Sequence, residues 1–157
     1  MHDAPETQAA MNDSRFSLHP QLRRDFKVLG RTGPSWLLLR NNAALPWFLL
    51  VPETECTEIF ELPATTREAL RHQMDVLAAF VKQHFKADKI NVAAIGNVVP
   101  QLHVHVIARR RDDCCWPQAA WGHVEVEASW SAAELTRLDT ALDALAALPL
   151  DRKVPVP

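Results

Sequence analysis

Apolar residues recur along this chain in two rhythms. Trp36-Leu37-Leu38-Leu39 and Trp47-Phe48-Leu49-Leu50-Val51 are short unbroken runs, the pattern of strands buried on both faces. The polar segment Arg40-Asn41-Asn42-Ala43-Ala44 between them predicts a β-hairpin, and Pro46 and Pro52 hold the second run to strand length. Leu70, Met74, Leu77, Val81 and Phe85 instead fall at helical spacing. With Thr65-x-x-Glu68 in the form of a capping box, they predict a long helix from Thr65 to about Lys86. Ile90-Asn91-Val92-Ala93-Ala94-Ile95 predicts a strand, Gly96-Asn97 a turn, and the residues from Gln101 to Ile107 a second, antiparallel strand.

The flanks are less regular. Ser17 to Asp25 predicts a short helix with Pro20 in its first turn, after which Gly30 and Gly33-Pro34 break the chain. Val124-Glu125-Val126-Glu127 alternates like an exposed edge strand. Ser131-x-x-Glu134 opens a helix carrying Leu135, Leu138, Leu142 and Leu145 on one face, ended by Pro149, Pro155 and Pro157. The order of elements predicts an α+β fold with an antiparallel sheet. It divides into an N-terminal arm (1–16), a core (17–112) and a C-terminal extension with one helix (113–157), all in one domain.

Composition narrows the ligand. The 157 residues carry 17 Lys plus Arg against 19 Asp plus Glu, a net charge of -2, which excludes a wrapper of nucleic-acid polymers but leaves small nucleotides open. No stretch of 18 apolar residues predicts a membrane span, and the first residues are acids and amides where a secretory signal needs an apolar run. Cys56, Cys114 and Cys115 have no C-x-x-C spacing, so free thiols in a reducing cytoplasm are expected.

The chemistry concentrates in one segment. Side chains alternate along a strand, so Gln101, His103, His105 and Ile107 share one face, while Leu102, Val104 and Val106 share the face that packs on the long helix. Successive members of the polar stripe stand roughly 7 Å apart, close enough to converge on one phosphate-sized anion. Three readings are open. The His-x-His pair ligates a metal, although no further carboxylate or HExxH completes a catalytic set. The stripe is a solvent-facing strand with incidental histidines. Or a neutral imidazole attacks phosphorus while the other polar groups hold the phosphate oxygens and a second, protonated imidazole donates to the developing charge.

Val99-Pro100-Gln101-Leu102-His103-Val104-His105-Val106-Ile107 resembles the signature of the histidine triad (HIT) superfamily, His-φ-His-φ-His-φ-φ. Gly96-Asn97-Val98-Val99 is similar to the turn that precedes it there, and Leu49-Leu50-Val51-Pro52 and the helix from Thr65 stand where that family has its hairpin strand and long helix. The resemblance covers residues 17–112 and implies a HIT-like fold and a diadenosine polyphosphate hydrolase-like activity. In it the middle histidine, His103 here, attacks a nucleotide α-phosphorus and water or another acceptor resolves the nucleotidyl-histidine. His105 and Gln101 then orient and neutralise the phosphate. Two positions depart from the family pattern: Gln101 replaces the first histidine of the triad, and Trp47 stands where an upstream histidine is often found. Gln101 can donate and accept a hydrogen bond but cannot relay a proton.

Further expectations attach to that resemblance. Asn97, Asn41 and Asn42 are candidates for phosphate or ribose contacts and, as turn residues, equally candidates for structural roles. Trp47 is a candidate for stacking on a base, with core packing as the alternative. Arg109, Arg110 and Arg111 either meet a polyphosphate tail or form a solvated run with Asp112 and Asp113. Trp116-Pro117 resembles a segment that helps form the substrate pocket in some branches, and His72 and His84 are expected at the surface. Expected substrates are dinucleoside polyphosphates or nucleoside phosphoramidates. No cofactor is required in the site, though Mg²⁺ can accompany the polyphosphate, and a homodimer is expected from the branches resembled. The competing readings are a nucleotide sensor with little turnover and a His-x-His metal binder.

Overall fold

A computed structural model describes residues 16–157 of the chain; the arm expected at 1–16 lies outside the described residues except for Phe16. Helix α1 (Pro20–Asp25) leads directly into strand β1 (Phe26–Thr32), followed by β2 (Ser35–Arg40), β3 (Trp47–Pro52), a 3₁₀ turn (Ile59–Glu61), helix α2 (Ala64–His84), β4 (Lys89–Ala93), β5 (Val104–Arg109) and helix α3 (Ala132–Asp143). The strands form one five-stranded sheet in the order β1-β2-β3-β5-β4, with each neighbouring pair antiparallel.

Both faces of this sheet are covered, which is why β2 and β3 read as unbroken apolar runs. On one face Leu37, Leu39, Phe48, Leu50, Val104 and Val106 pack on Leu70, Leu77 and Val81 of α2 and on Leu138 and Leu142 of α3. The alternate residues Trp36, Leu38, Trp47, Leu49, Val51 and Ile107 form a second core with Leu18 and Leu22 from the start of the chain and Cys115 and Ala120 from the C-terminal segment. The site lies on this second face. A strand that buries both sets of side chains contributes about 1.5–3 kcal/mol per large apolar residue, so its register tolerates no slip.

Four expectations are corrected. Residues 26–32, where Gly30 predicts a break, form a strand. Gly30 sits at a register shift between Val28 and Gly30, and a Cβ there would crowd the Asp151 carbonyl oxygen at 3.1 Å, so glycine suits the close approach. Gly33, with φ +51, makes the two-residue turn that pairs Thr32 with Ser35. Second, α2 begins at Ala64 on an N-cap Pro63, and no side chain caps it; the spacing of Thr65 and Glu68 is incidental. Third, β5 begins at Val104, so Gln101 and His103 precede the strand, and residues 94–103 form a long connection from β4 instead of a tight turn. Fourth, Val124 to Glu127 pairs with no strand; the segment is tied down by an isolated bridge between Asn42 and Ser129. The capping box at Ser131 and Glu134 is present as predicted, and α3 ends at Asp143, ahead of Pro149.

Candidate functional site

His103 and His105 are brought together at the start of β5, with ring centroids 4.7 Å apart and planes inclined by 68°. Both are buried, at 6% and 7% exposure. Each ring is oriented by one hydrogen bond, and the two bonds are of opposite kind. His103 Nδ1 lies 2.7 Å from the Gln101 carbonyl oxygen. A carbonyl only accepts, so Nδ1 carries the proton and the Nε2 lone pair is free. Trp47 Nε1–H donates to His105 Nδ1 at 2.8 Å. An indole nitrogen only donates, so the neutral His105 carries its proton on Nε2. One imidazole thus offers a lone pair and its neighbour offers an N–H, both from Nε2.

Burial keeps both rings neutral. His105 is pushed down to about 3, first by burial and then by its neighbours His103 and Arg40. His103 is also lowered, by burial and by the charge of His19, against the opposing pull of the Gln101 carbonyl. The expected protonated donor is therefore replaced by a neutral one. A neutral His105 still donates through Nε2–H, and it does so across the physiological pH range.

Trp47 reaches His105 because of sheet register. Leu49 pairs with His105 and Trp47 with Ile107 on adjacent strands, so Trp47 is the diagonal neighbour of His105 on the same face. The Arg40 guanidinium lies over the Trp47 ring at 4.4 Å, within cation–π range. Trp47 is only 5% exposed, held among His105, Trp121 and Arg40, and it offers little free surface for stacking on a base.

The remaining candidates divide between two hollows. A cavity of about 680 Å³ is bordered by Arg40, Asn41, Asn42, Trp47 and His105 together with the end of α1 and residues 127–129. A smaller hollow of about 210 Å³ holds His103 with Gly96, Asn97, Thr57 and Glu58. Asn97 is exposed there, beside the nucleophile candidate. Asn41 and Asn42 border the large cavity while holding the fold: Asn41 Nδ2 donates to the Arg24 carbonyl at 2.9 Å, and Asn42 Nδ2 to that of Val126 at 2.9 Å. Asn42 Oδ1 accepts from the amides of Ala44 and Ala128. Gln101 does not join the imidazoles. Its amide turns toward the start of the chain, donating from Nε2 to the Ser17 carbonyl at 2.8 Å and accepting from the His19 N–H at 2.9 Å.

The arginine run is not at the site. Arg109 is 2% exposed and forms a two-pronged pair with Asp113 at 2.7 and 3.0 Å; Arg110 pairs with Asp112 at the surface. The exposed Trp116 lies near the Arg109 guanidinium and borders neither hollow. His72 is exposed as expected, whereas His84 is half-buried, stacked on Phe80 at 5.2 Å. Sequence reasoning missed Arg40, which ends an apolar run, and Trp121, whose ring meets His105 at 5.2 Å with its indole nitrogen buried and unpartnered. Only the cross-strand register could have revealed the first, and no local pattern marks the second. Among the described residues no three His, Cys, Asp or Glu side chains stand together as a metal site, and no helix is long and apolar enough to cross a membrane.

The HIT domain profile matches residues 21–112, and the chain belongs to the HIT domain family. Its fold is similar to that of a histidine triad protein from Bradyrhizobium japonicum, with 37% identity over 82% of this chain and 96% of the other and a TM-score of 0.77. Similar structures are a histidine triad protein of Sinorhizobium meliloti (37% identity, 80% and 93% covered, TM-score 0.75) and one of Marinobacter aquaeolei (35%, 83% and 95%, 0.76). A comparison with curated proteins found no match. The family is one of nucleotide-binding proteins, hydrolases and transferases.

Proposed function

We propose that the protein is a nucleotide hydrolase or transferase that attacks a nucleotide α-phosphate through a covalent nucleotidyl-histidine. The observation that carries this reading is the opposed tautomers of two touching imidazoles. The free Nε2 lone pair of His103 forms a bond to the α-phosphorus while the bond from phosphorus to the leaving oxygen breaks, its electron pair departing with the leaving group. The positive charge that develops on the His103 ring is stabilised by the Nδ1–H bond to the Gln101 carbonyl. His105 Nε2–H donates to a phosphoryl oxygen, and Asn97, at the rim of the hollow that holds His103, is a second donor. Water then adds to phosphorus, the P–N bond breaks, its electron pair returns to Nε2, and the water proton passes to solvent.

Dinucleoside polyphosphates suit this arrangement best. Their leaving group departs as a phosphate anion and needs no proton, and both histidines are held neutral, so the site has no acid of its own to protonate an amine. Nucleoside phosphoramidates are the second substrate class, with water supplying that proton. Mg²⁺, where required, arrives on the polyphosphate. Incubation with a dinucleoside polyphosphate, quenching in base and mass spectrometry of the peptide containing residue 103 tests the reading. A nucleotidyl mass on His103 in wild type and its loss in His103→Ala is the expected result; turnover unaffected in His103→Ala overturns it.

A further inference from the structure

Among the charged groups of the large cavity, Arg40 is the one set closest to the imidazoles and least used by the fold. It closes β2, its carbonyl held by the Trp130 Nε1–H at 2.8 Å, and its guanidinium lies over Trp47 at 4.4 Å. Half-buried, it has given up part of its hydration, which lowers its pKa. Among the described residues its N–H groups have gained no hydrogen-bond acceptor and no ion-pair partner in return. The charges on the α1 side are engaged locally: Arg24 donates to Gln21 Oε1, and Asp25 accepts from Gln21 Nε2. Glu127 is exposed. Stacking suits a guanidinium to an anion, because the indole covers one face while the N–H donors point outward in the plane of the group. Trp47 is also the ring that donates to His105, so one indole separates Arg40 from His105, and both border the same cavity of about 680 Å³. His103 opens on the smaller hollow. A phosphorus attacked by His103, with an oxygen held by His105, therefore lies between two spaces, and a group attached to it extends into the larger one toward Arg40.

We propose that Arg40 is a second anion contact of the site, gripping through its N–H fork a phosphate of the substrate other than the one under attack at His103. The proposal rests on the phosphate-transfer reading above and makes Arg40 a specificity-determining residue, favouring substrates with two or more phosphates over those with one. The second phosphate is either the next one along a polyphosphate chain or one carried on the ribose; both present paired oxygens to a guanidinium. The anion contact expected of Arg109, Arg110 and Arg111 thus falls to an arginine of β2.

The test measures kcat and KM in wild type, Arg40→Gln and Arg40→Lys for three substrates of one nucleoside: the 5′-phosphoramidate, the same compound with a 3′-phosphate on its ribose, and the dinucleoside polyphosphate. The plain phosphoramidate carries one phosphate and reports any disturbance of Trp47 and His105. Arg40→Gln is expected to lower kcat/KM for a substrate with a second phosphate, relative to the plain phosphoramidate, by about tenfold or more, mainly through KM. Arg40→Lys is expected to recover part of that ratio, because it restores the charge without the fork. A loss confined to the polyphosphate places the second phosphate in the chain, and one confined to the ribose-phosphorylated compound places it on the nucleoside; either supports the proposal. An equal fall for all three substrates overturns it, since Arg40 then acts only by holding Trp47 against His105, and so does no fall for any. Absence of a nucleotidyl adduct on His103 in wild type overturns instead the function on which the proposal rests.

Discussion

Two buried polar clusters flank β5, and they are used in opposite ways. At its end Arg109 and Asp113 satisfy one another. Arg109 Nε and Nη2 reach the Asp113 carboxylate, Nη1 reaches Asn91 Oδ1 and the Gln118 carbonyl at 3.0 and 2.9 Å, and Asp113 also accepts from the Arg110 and Cys115 amides. At its start His103 and His105 each spend one nitrogen on the fold and keep the other. The first cluster has no capacity left for a ligand; the second has a donor and an acceptor side by side. Abundance of charge is therefore a poor guide to the site, and unspent hydrogen-bonding capacity on an oriented group is a better one.

The largest effect that can break this contrast is loss of the unspent nitrogen. His103→Ala should lower turnover by about three orders of magnitude or more with a melting temperature close to wild type, checked by kinetics alongside thermal denaturation. Asp113→Ala should do the reverse. Stranding the buried Arg109 costs about 3–5 kcal/mol, read by urea denaturation, while the specific activity of the folded fraction stays unchanged. A parallel loss of activity in that fraction would erase the distinction between the clusters.

Acid should separate the same clusters without mutation. His105 is held down to about 3 and His103 below its ordinary value, chiefly by burial. The unfolded chain, titrating near 6.5, binds the protons that the folded one refuses, so stability falls as pH drops from about 6.5 toward 3. For Asp113 burial works against ionisation, but the Arg109 bond and the two amides outweigh it and hold the carboxyl at about 2. Its contribution is present above about pH 4 and is lost as pH falls from there toward 2. Denaturation across pH should accordingly show two limbs, and His105→Gln should remove most of the upper one. The acid limb of kcat/KM should lie below 6.5, because the neutral form of His103 persists there.

A smaller change sharpens the role of orientation. Trp47→Phe keeps the ring and removes the N–H that fixes His105, and should lower kcat by about tenfold with a stability loss of about 1 kcal/mol. An unchanged kcat would mean that packing alone orients His105.

Most of the frame was legible because the sheet is covered twice. The unbroken runs of β2 and β3 follow directly from Leu37, Leu39, Phe48 and Leu50 on one face and Trp36, Leu38, Trp47 and Leu49 on the other. The edge strand β1 was not legible. Lys27, Gly30 and Arg31 interrupt its apolar pattern, and the bulge at Gly30 answers to Asp151, more than a hundred residues away in sequence. The same distinction holds at the site. His103 and His105 were visible two residues apart, but their tautomers depend on Trp47 across the sheet, and the direction of Gln101 depends on Ser17 and His19. Arg109 drew attention because it follows the motif, yet its carboxylate partner four residues on turns it into structure.

The mechanism turns on which nitrogen of each imidazole carries the proton, and long-range ¹H–¹⁵N NMR of the folded protein at pH 7 reads this directly. It predicts a protonated Nδ1 and bare Nε2 for His103, and a bare Nδ1 and protonated Nε2 for His105. The same tautomer at both residues, or a cationic ring at either, would contradict it.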